Sequence, residues 1–188
     1  LDGVLEAGCW TPVTTFGMAG GDWQARLLEP AGTRFSVLHQ GREAGAVAWG
    51  LAGAHNVMNA LATIAAARHA GVPVATACAA LGGFRSVKRR LQERGRVGGV
   101  VVYDDFAHHP TAIRVTLEAV RALTPEGRVI AVLEPRSNTM RLGVHRDTLG
   151  PALAGADLVV AHRPEGLEWD LAAALDGARV LDSVAGII

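Results

Sequence analysis

Three short polar clusters hold the residue types that could do chemistry, and each sits where an apolar stretch gives way to a helix start or a loop. The first is Gly53-Ala54-His55-Asn56-Val57-Met58-Asn59. Asn56 and Asn59 are three residues apart and share one helix face, with His55 one turn from Asn59. A side-chain amide offers both donor and acceptor, the complement of a base edge such as that of adenine. Helix capping by Asn56, with His55 in a purely local role, accounts for the same residues. Spacing alone does not separate the two.

The second cluster is Tyr103-Asp104-Asp105-Phe106-Ala107-His108-His109-Pro110, between an apolar run and a helical pattern. Open α/β sheets hold ligands at the carboxyl edge of their strands, where this segment would lie. A carboxylate there suits ribose hydroxyls, and a histidine suits an anionic or amine group. Plain capping is the alternative. Metal binding is disfavoured, because neighbouring side chains in an extended segment point apart and His108 and His109 would not share an ion. The third cluster, Glu134-Pro135-Arg136-Ser137-Asn138-Thr139-Met140-Arg141, again follows an apolar run. An arginine there suits bidentate capture of a carboxylate or phosphate, and a plain polar loop is the alternative if the segment stood alone. Two such clusters after successive strands are expected to lie side by side. Lys88-Arg89-Arg90, with Arg94 and Arg96, has no interleaved aromatics and reads as a solvated face with one functional arginine.

The elements that must position these residues fall into two sets. Trp23–Leu28, Arg34–His39 and Ala44–Trp49 alternate like strands and are separated by turn-rich segments, which predicts a three-stranded antiparallel sheet. Helices are expected over His55–Ala70, ended by Gly71 and Pro73, and over Val74–Leu81. Beyond a boundary placed between residues 86 and 87 the order becomes strand–helix: Val97–Tyr103, Pro110–Leu123, Arg128–Leu133, Arg146–Ala154, Asp157–Ala161, Leu167–Leu175 and Arg179–Leu181. Val97–Tyr103 is almost wholly apolar, as for a parallel strand buried on both faces. The predicted class is α/β, with a Rossmann-like, mostly parallel sheet preceded by a small antiparallel sheet and helices.

Composition narrows the partners. The 188 residues balance 18 basic against 18 acidic side chains, which argues against a nucleic-acid or membrane surface. Cys9 and Cys78 have no metal or CxxC spacing and read as reduced thiols of a cytoplasmic protein. No stretch has the ~20 apolar residues of a membrane span. Leu1–Ala7 reads as the tail of a helix, so the chain is expected to be a piece of something longer. No GxxxxGK(S/T) phosphate loop occurs, and no GxGxxG follows a predicted strand, which counts against a dinucleotide oxidoreductase.

Taken in order, the clusters resemble the Mur ligase superfamily, and within it the peptidoglycan-recycling branch. Tyr103–Thr111 and Val132–Met140 are the most specific stretches, and the likeness extends from Gly8-Cys9-Trp10 through Trp23-Gln24-Ala25-Arg26 to the last strands. The alanine-adding branch shares the Asp-Asp-aromatic-x-His-His-Pro pattern but differs in the later loop. The resemblance implies a central ATP-binding domain represented only by its carboxyl-terminal part, residues 1–86, and a carboxyl-terminal domain, residues 87–188, that ends early. It implies that Asn56 and Asn59 contact adenine, that Arg90, fifteen positions before Asp105, contacts the nucleotide, and that Asp105 holds the ribose. His109, Arg136 and Asn138 would face the incoming peptide, with His108 a weaker candidate and His109 the one candidate for a catalytic role. ATP and Mg²⁺ are the implied cofactors, their phosphate and metal ligands expected upstream of Leu1 and none in this chain. The implied reaction joins UDP-N-acetylmuramate to L-alanyl-γ-D-glutamyl-meso-diaminopimelate through an acyl phosphate, and these 188 residues alone would not catalyse it. A free-standing nucleotide- or peptide-binding module is the alternative from another class.

Overall fold

A computed structural model describes residues 2–186; Leu1 and Ile187–Ile188 lie outside the described residues. The chain divides into two compact units, Leu1–Gly50 with His55–Phe84, and Leu51–Ala54 with Arg85–Ile188.

The first unit opens with a short helix, α1 (Asp2–Glu6), followed by the strands β1 (Phe16–Gly17), β2 (Trp23–Leu27), β3 (Arg34–His39) and β4 (Arg42–Ala48). These form one four-stranded sheet in the order β1-β2-β3-β4. The expected antiparallel trio is present, and β1 adds a parallel edge that the sequence did not signal. Two helices, α2 (Ala54–His69) and α3 (Val74–Gly82), cover one face. Val57, Ala60, Leu61 and Ile64 recur at helical spacing along α2 and pack with Phe35 and Val37 of β3, Val47 of β4 and Cys78 of α3.

In the second unit one expectation is corrected. The apolar run from Val97 is not a parallel strand buried on both faces. Gly98 and Gly99, at φ +57° and +81°, form a two-residue turn. They join β5 (Gln92–Val97) to β6 (Val100–Asp104) as an antiparallel hairpin. Glycine pairs favour this turn because both central residues need positive φ. The polar sequence of β5 hid its strand character, and the apolar run crossed the turn unmarked. Val100 and Val102 remain exposed.

The parallel sheet consists of β7 (Ile130–Leu133), β8 (Leu158–His162) and β9 (Arg179–Leu181), in that order. Its helices are α4 (Pro110–Leu123), α5 (Asn138–Arg141), α6 (Arg146–Leu153) and α7 (Leu171–Ala174). Ile113 and Leu117 of α4, Met140 of α5, Leu149 and Leu153 of α6, Ala161 of β8 and Leu171 of α7 share a buried core. The helix expected over Leu167–Leu175 shrinks to one turn, capped by the Asp170 carboxylate, which accepts from the Ala172 and Ala173 N–H groups. Among the described residues no helix is long and apolar enough to cross a membrane.

Candidate functional site

Asp105 leaves the end of β6 and turns back onto its own unit. Its Oδ2 accepts from the Leu91 N–H at 2.7 Å. Its Oδ1 accepts from the Ala107 N–H at 2.8 Å and, more weakly, from the Thr116 hydroxyl at 3.4 Å. The carboxylate thereby pins a turn in which Arg89 and Leu91 adopt φ of +60° and +44°. Non-glycine residues in that region cost of order 1 kcal/mol or more and persist only when neighbours enforce them. The Phe106 N–H adds to the clamp by donating to the Arg89 carbonyl at 2.8 Å. Arg89 itself is used structurally: its guanidinium lies 4.9 Å from the Phe106 ring centre, and its Nε is 3.5 Å from Asp104. Its neighbour Arg90 is exposed and, among the described residues, engages no hydrogen bond or ion pair. A carboxylate has about four lone-pair positions, so Asp105 keeps acceptor capacity for a ligand hydroxyl beyond the contacts it already makes.

The two histidines that follow use Nδ1 in opposite ways. His109 caps α4: its backbone is extended and its Nδ1 accepts from the Thr111 N–H at 3.2 Å, with Pro110 at the first helical position. An accepting Nδ1 leaves the hydrogen on Nε2. His108 Nδ1 lies 2.9 Å from the Phe106 carbonyl, an acceptor, so there Nδ1 donates. Both rings are exposed.

The third cluster begins where β7 ends. Pro135 is buried. Ser137 caps α5 by accepting from the Met140 N–H at 3.3 Å. Asn138 and Thr139 are exposed on that one-turn helix, while Met140 anchors it in the core. The Trp169 indole N–H donates to the Met140 carbonyl at 2.8 Å. Gly143 follows at φ +70°, where a Cβ would meet the Trp169 ring at 2.9 Å, so only glycine suits the position. Arg136 is exposed, with its Nε 3.5 Å from Glu134.

The second and third clusters were expected to be neighbours atop one parallel sheet. β6 belongs to its own hairpin instead, so the second cluster does not follow a strand of the β7-β8-β9 sheet. His145, the residue that opens α6, places its ring edge-on to His109, with centres 4.5 Å apart. Sequence reading missed His145 and His162 and quoted Glu134 without a role. His162 is the last residue of β8, one position beyond the strand expected over Asp157–Ala161, so a polar residue closing an apolar run was the available signal. Asn56 and Asn59 lie on α2 in the first unit, with Asn59 exposed and both beside the buried Val57–Ala60–Ile64 face. Among the described residues no group of three or more His, Cys, Asp or Glu side chains is placed to hold a metal ion.

Residues 89–187 match the family model for Mur ligase, glutamate ligase domain. A UDP-N-acetylmuramate–L-alanyl-γ-D-glutamyl-meso-2,6-diaminoheptandioate ligase of Haemophilus influenzae is 47% identical over 169 residues, 89% of this chain and 37% of the relative. A UDP-N-acetylmuramate–L-alanine ligase of Rubrobacter xylanophilus is 38% identical over 92% of this chain and 38% of its own length. Among solved structures, a murein peptide ligase of Psychrobacter arcticus is 40% identical with a TM-score of 0.66, and the match covers 99% of this chain and 42% of that one. The chain thus spans under half the length of each of these three proteins.

Proposed function

This chain belongs to the Mur ligase family, and we propose that it forms part of an enzyme joining UDP-N-acetylmuramate to L-alanyl-γ-D-glutamyl-meso-diaminopimelate in peptidoglycan recycling. Residues 1–86 would be the end of the central ATP-binding domain and residues 87–188 the carboxyl-terminal domain. In this reading the parent enzyme works in the cytoplasm. ATP, when bound, supplies the phosphoryl group that converts an unreactive carboxylate into an acyl phosphate that an amine can attack.

Within that scheme the residues of this chain orient and neutralise. Asn56 and Asn59 present amides to the adenine. The open acceptor positions of Asp105 receive the ribose hydroxyls, and the unpartnered guanidinium of Arg90 faces the nucleotide. His109, Arg136 and Asn138 dock the acceptor peptide, with His108 a weaker candidate at its edge. His109 could donate a hydrogen bond through Nε2–H, and it is the one candidate for a catalytic role. The observation that carries the reading is the His109–His145 ring contact at 4.5 Å, which sets the histidine that caps α4 against the residue that opens α6, four positions beyond the Glu134–Arg141 segment. Phosphate and Mg²⁺ ligands would come from outside these residues, so the 188-residue chain alone should form no amide.

The test is ATP- and Mg²⁺-dependent amide formation by the intact protein, with the murein tripeptide and with free L-alanine as acceptors. Consumption of the tripeptide in preference to L-alanine is expected. Use of L-alanine alone would favour the alanine-adding alternative, for which a 38% identical relative speaks. Use of neither would favour a binding module without catalysis.

A further inference from the structure

We propose that Glu134, anchored by His162, is a positioning residue that presents Arg136 to a carboxylate of the acceptor, an inference that rests on the peptide-docking role given to Arg136 above. β7 and β8 run parallel with Leu133 opposite Ala161, so the next residue of each strand, Glu134 and His162, emerges at the same sheet edge. There the two side chains meet: Glu134 Oε1 lies 3.1 Å from His162 Nδ1. A carboxylate only accepts, so Nδ1 donates and the orientation of the ring is fixed. The other oxygen of Glu134 faces Arg136 Nε at 3.5 Å.

Side-chain exposure rises along this chain of contacts, from 18% at His162 through 34% at Glu134 to 79% at Arg136. The anchor is held in the body of the sheet and the tip stands in solvent. Glu134 takes the Nε side of the guanidinium. The two Nη groups stay free, and they form the planar fork that matches a carboxylate bidentately. An exposed arginine without such a partner spreads over many rotamers and must be ordered by its ligand, which weakens binding. Neither His162 nor Glu134 need touch the substrate; they act through Arg136.

The experiment uses the intact protein and measures KM and kcat separately for acceptor, ATP and UDP-sugar. Glu134→Gln sets an amide N–H₂ against Arg136, and His162→Leu removes the anchor. Each should raise the acceptor KM roughly fivefold, the cost of ordering one long side chain, with kcat and the ATP KM unchanged. His162→Asn, whose amide nitrogen can replace Nδ1–H, should restore the wild-type value. The penalty should vanish when the acceptor's free carboxylates are amidated. The inference is overturned if both variants leave the acceptor KM unchanged, if the ATP KM moves in step, or if the amidated acceptor suffers equally. Should wild type accept only L-alanine, the proposed function fails, and the inference is then decided on alanine against alaninamide. A wild-type protein that uses neither acceptor sinks both.

Discussion

The two units spend similar apolar strand sequences in opposite ways. In the first, Arg34–His39 buries Phe35 and Val37 completely beneath α2 and α3. In the second, Val100 and Val102 of β6 and Ile130 and Val132 of β7 are each more than half exposed. The first unit is held by a core in which sheet and helices interlock. In the second, the helices pack on Ala131, Val159, Ala161 and Val180 of the parallel sheet, and polar staples such as Asp105, Asp157 and Trp169 fix the loops. Nearly all the candidate site residues sit on those stapled loops. A scaffold that presents polar side chains at loop ends depends on hydrogen bonds with directions, whereas a core depends on volume.

The sharpest way to break that contrast is to delete volume in both places. Leu61 has no exposed surface and packs among Phe35, Val57 and Ile64. Leu61→Ala should cost about 3 kcal/mol, because the lost transfer energy is joined by a cavity. Val102→Ala, at a side chain 55% exposed, should stay within about 0.5 kcal/mol. Chemical denaturation with region-resolved amide exchange would measure both. Comparable losses at the two positions would mean that the β6 face is covered after all.

The same contrast explains what was legible beforehand. Helical spacing at Val57, Ala60, Leu61 and Ile64 marks α2 because burial and periodicity coincide there. Val97–Tyr103 misled because an apolar run reports a strand without naming its partner, and Gly98-Gly99 inside the run was the turn signal that outweighed it. The polar clusters were legible as residue types placed at element ends. Their contacts were not. The meeting of His109 with His145, or of Glu134 with His162, joins residues 36 and 28 positions apart, and side-chain packing alone sets such pairs. Nor could spacing reveal that Asp105 is already committed to the Leu91 and Ala107 amides.

That double duty of Asp105 separates it from Arg90, although both are proposed to hold the nucleotide. Asp105→Asn keeps the shape but must turn an N–H₂ toward one of the two backbone donors. The expected loss is about 1–2 kcal/mol of stability, accompanied by weaker nucleotide binding by the intact protein. Arg90→Ala touches no internal partner and should leave the denaturation midpoint unchanged while still weakening nucleotide binding. Paired thermal unfolding and nucleotide titration decide the matter. An Arg90→Ala protein that unfolds early would show that Arg90 belongs to the staple instead.

The smallest expected effects lie in two exposed carboxylates, one per unit. The Thr15 backbone N–H, at 2.8 Å, and then the Thr15 hydroxyl hold the Asp22 carboxyl below its ordinary value of 3.8. The Val129 N–H, at 2.6 Å, and then the Arg121 guanidinium do the same for Asp157. A carboxyl depressed in the folded state favours folding above its unfolded value, and the benefit disappears as pH falls through the folded value. The benefit of each ion pair or amide contact should therefore be complete near neutrality and drain away below pH 3.8. Asp22→Asn and Asp157→Asn should each flatten that acid loss, so that variant and wild type converge at low pH. Amide exchange places the effect: Asp22→Asn should speed opening around Thr15 and Trp23, and Asp157→Asn around Val129 and Gly155. If Asp157→Asn loosened the β2–β3–β4 sheet as much as its own surroundings, the two units would share one cooperative transition, and the contrast between a volume-held and a staple-held unit would lose its energetic meaning.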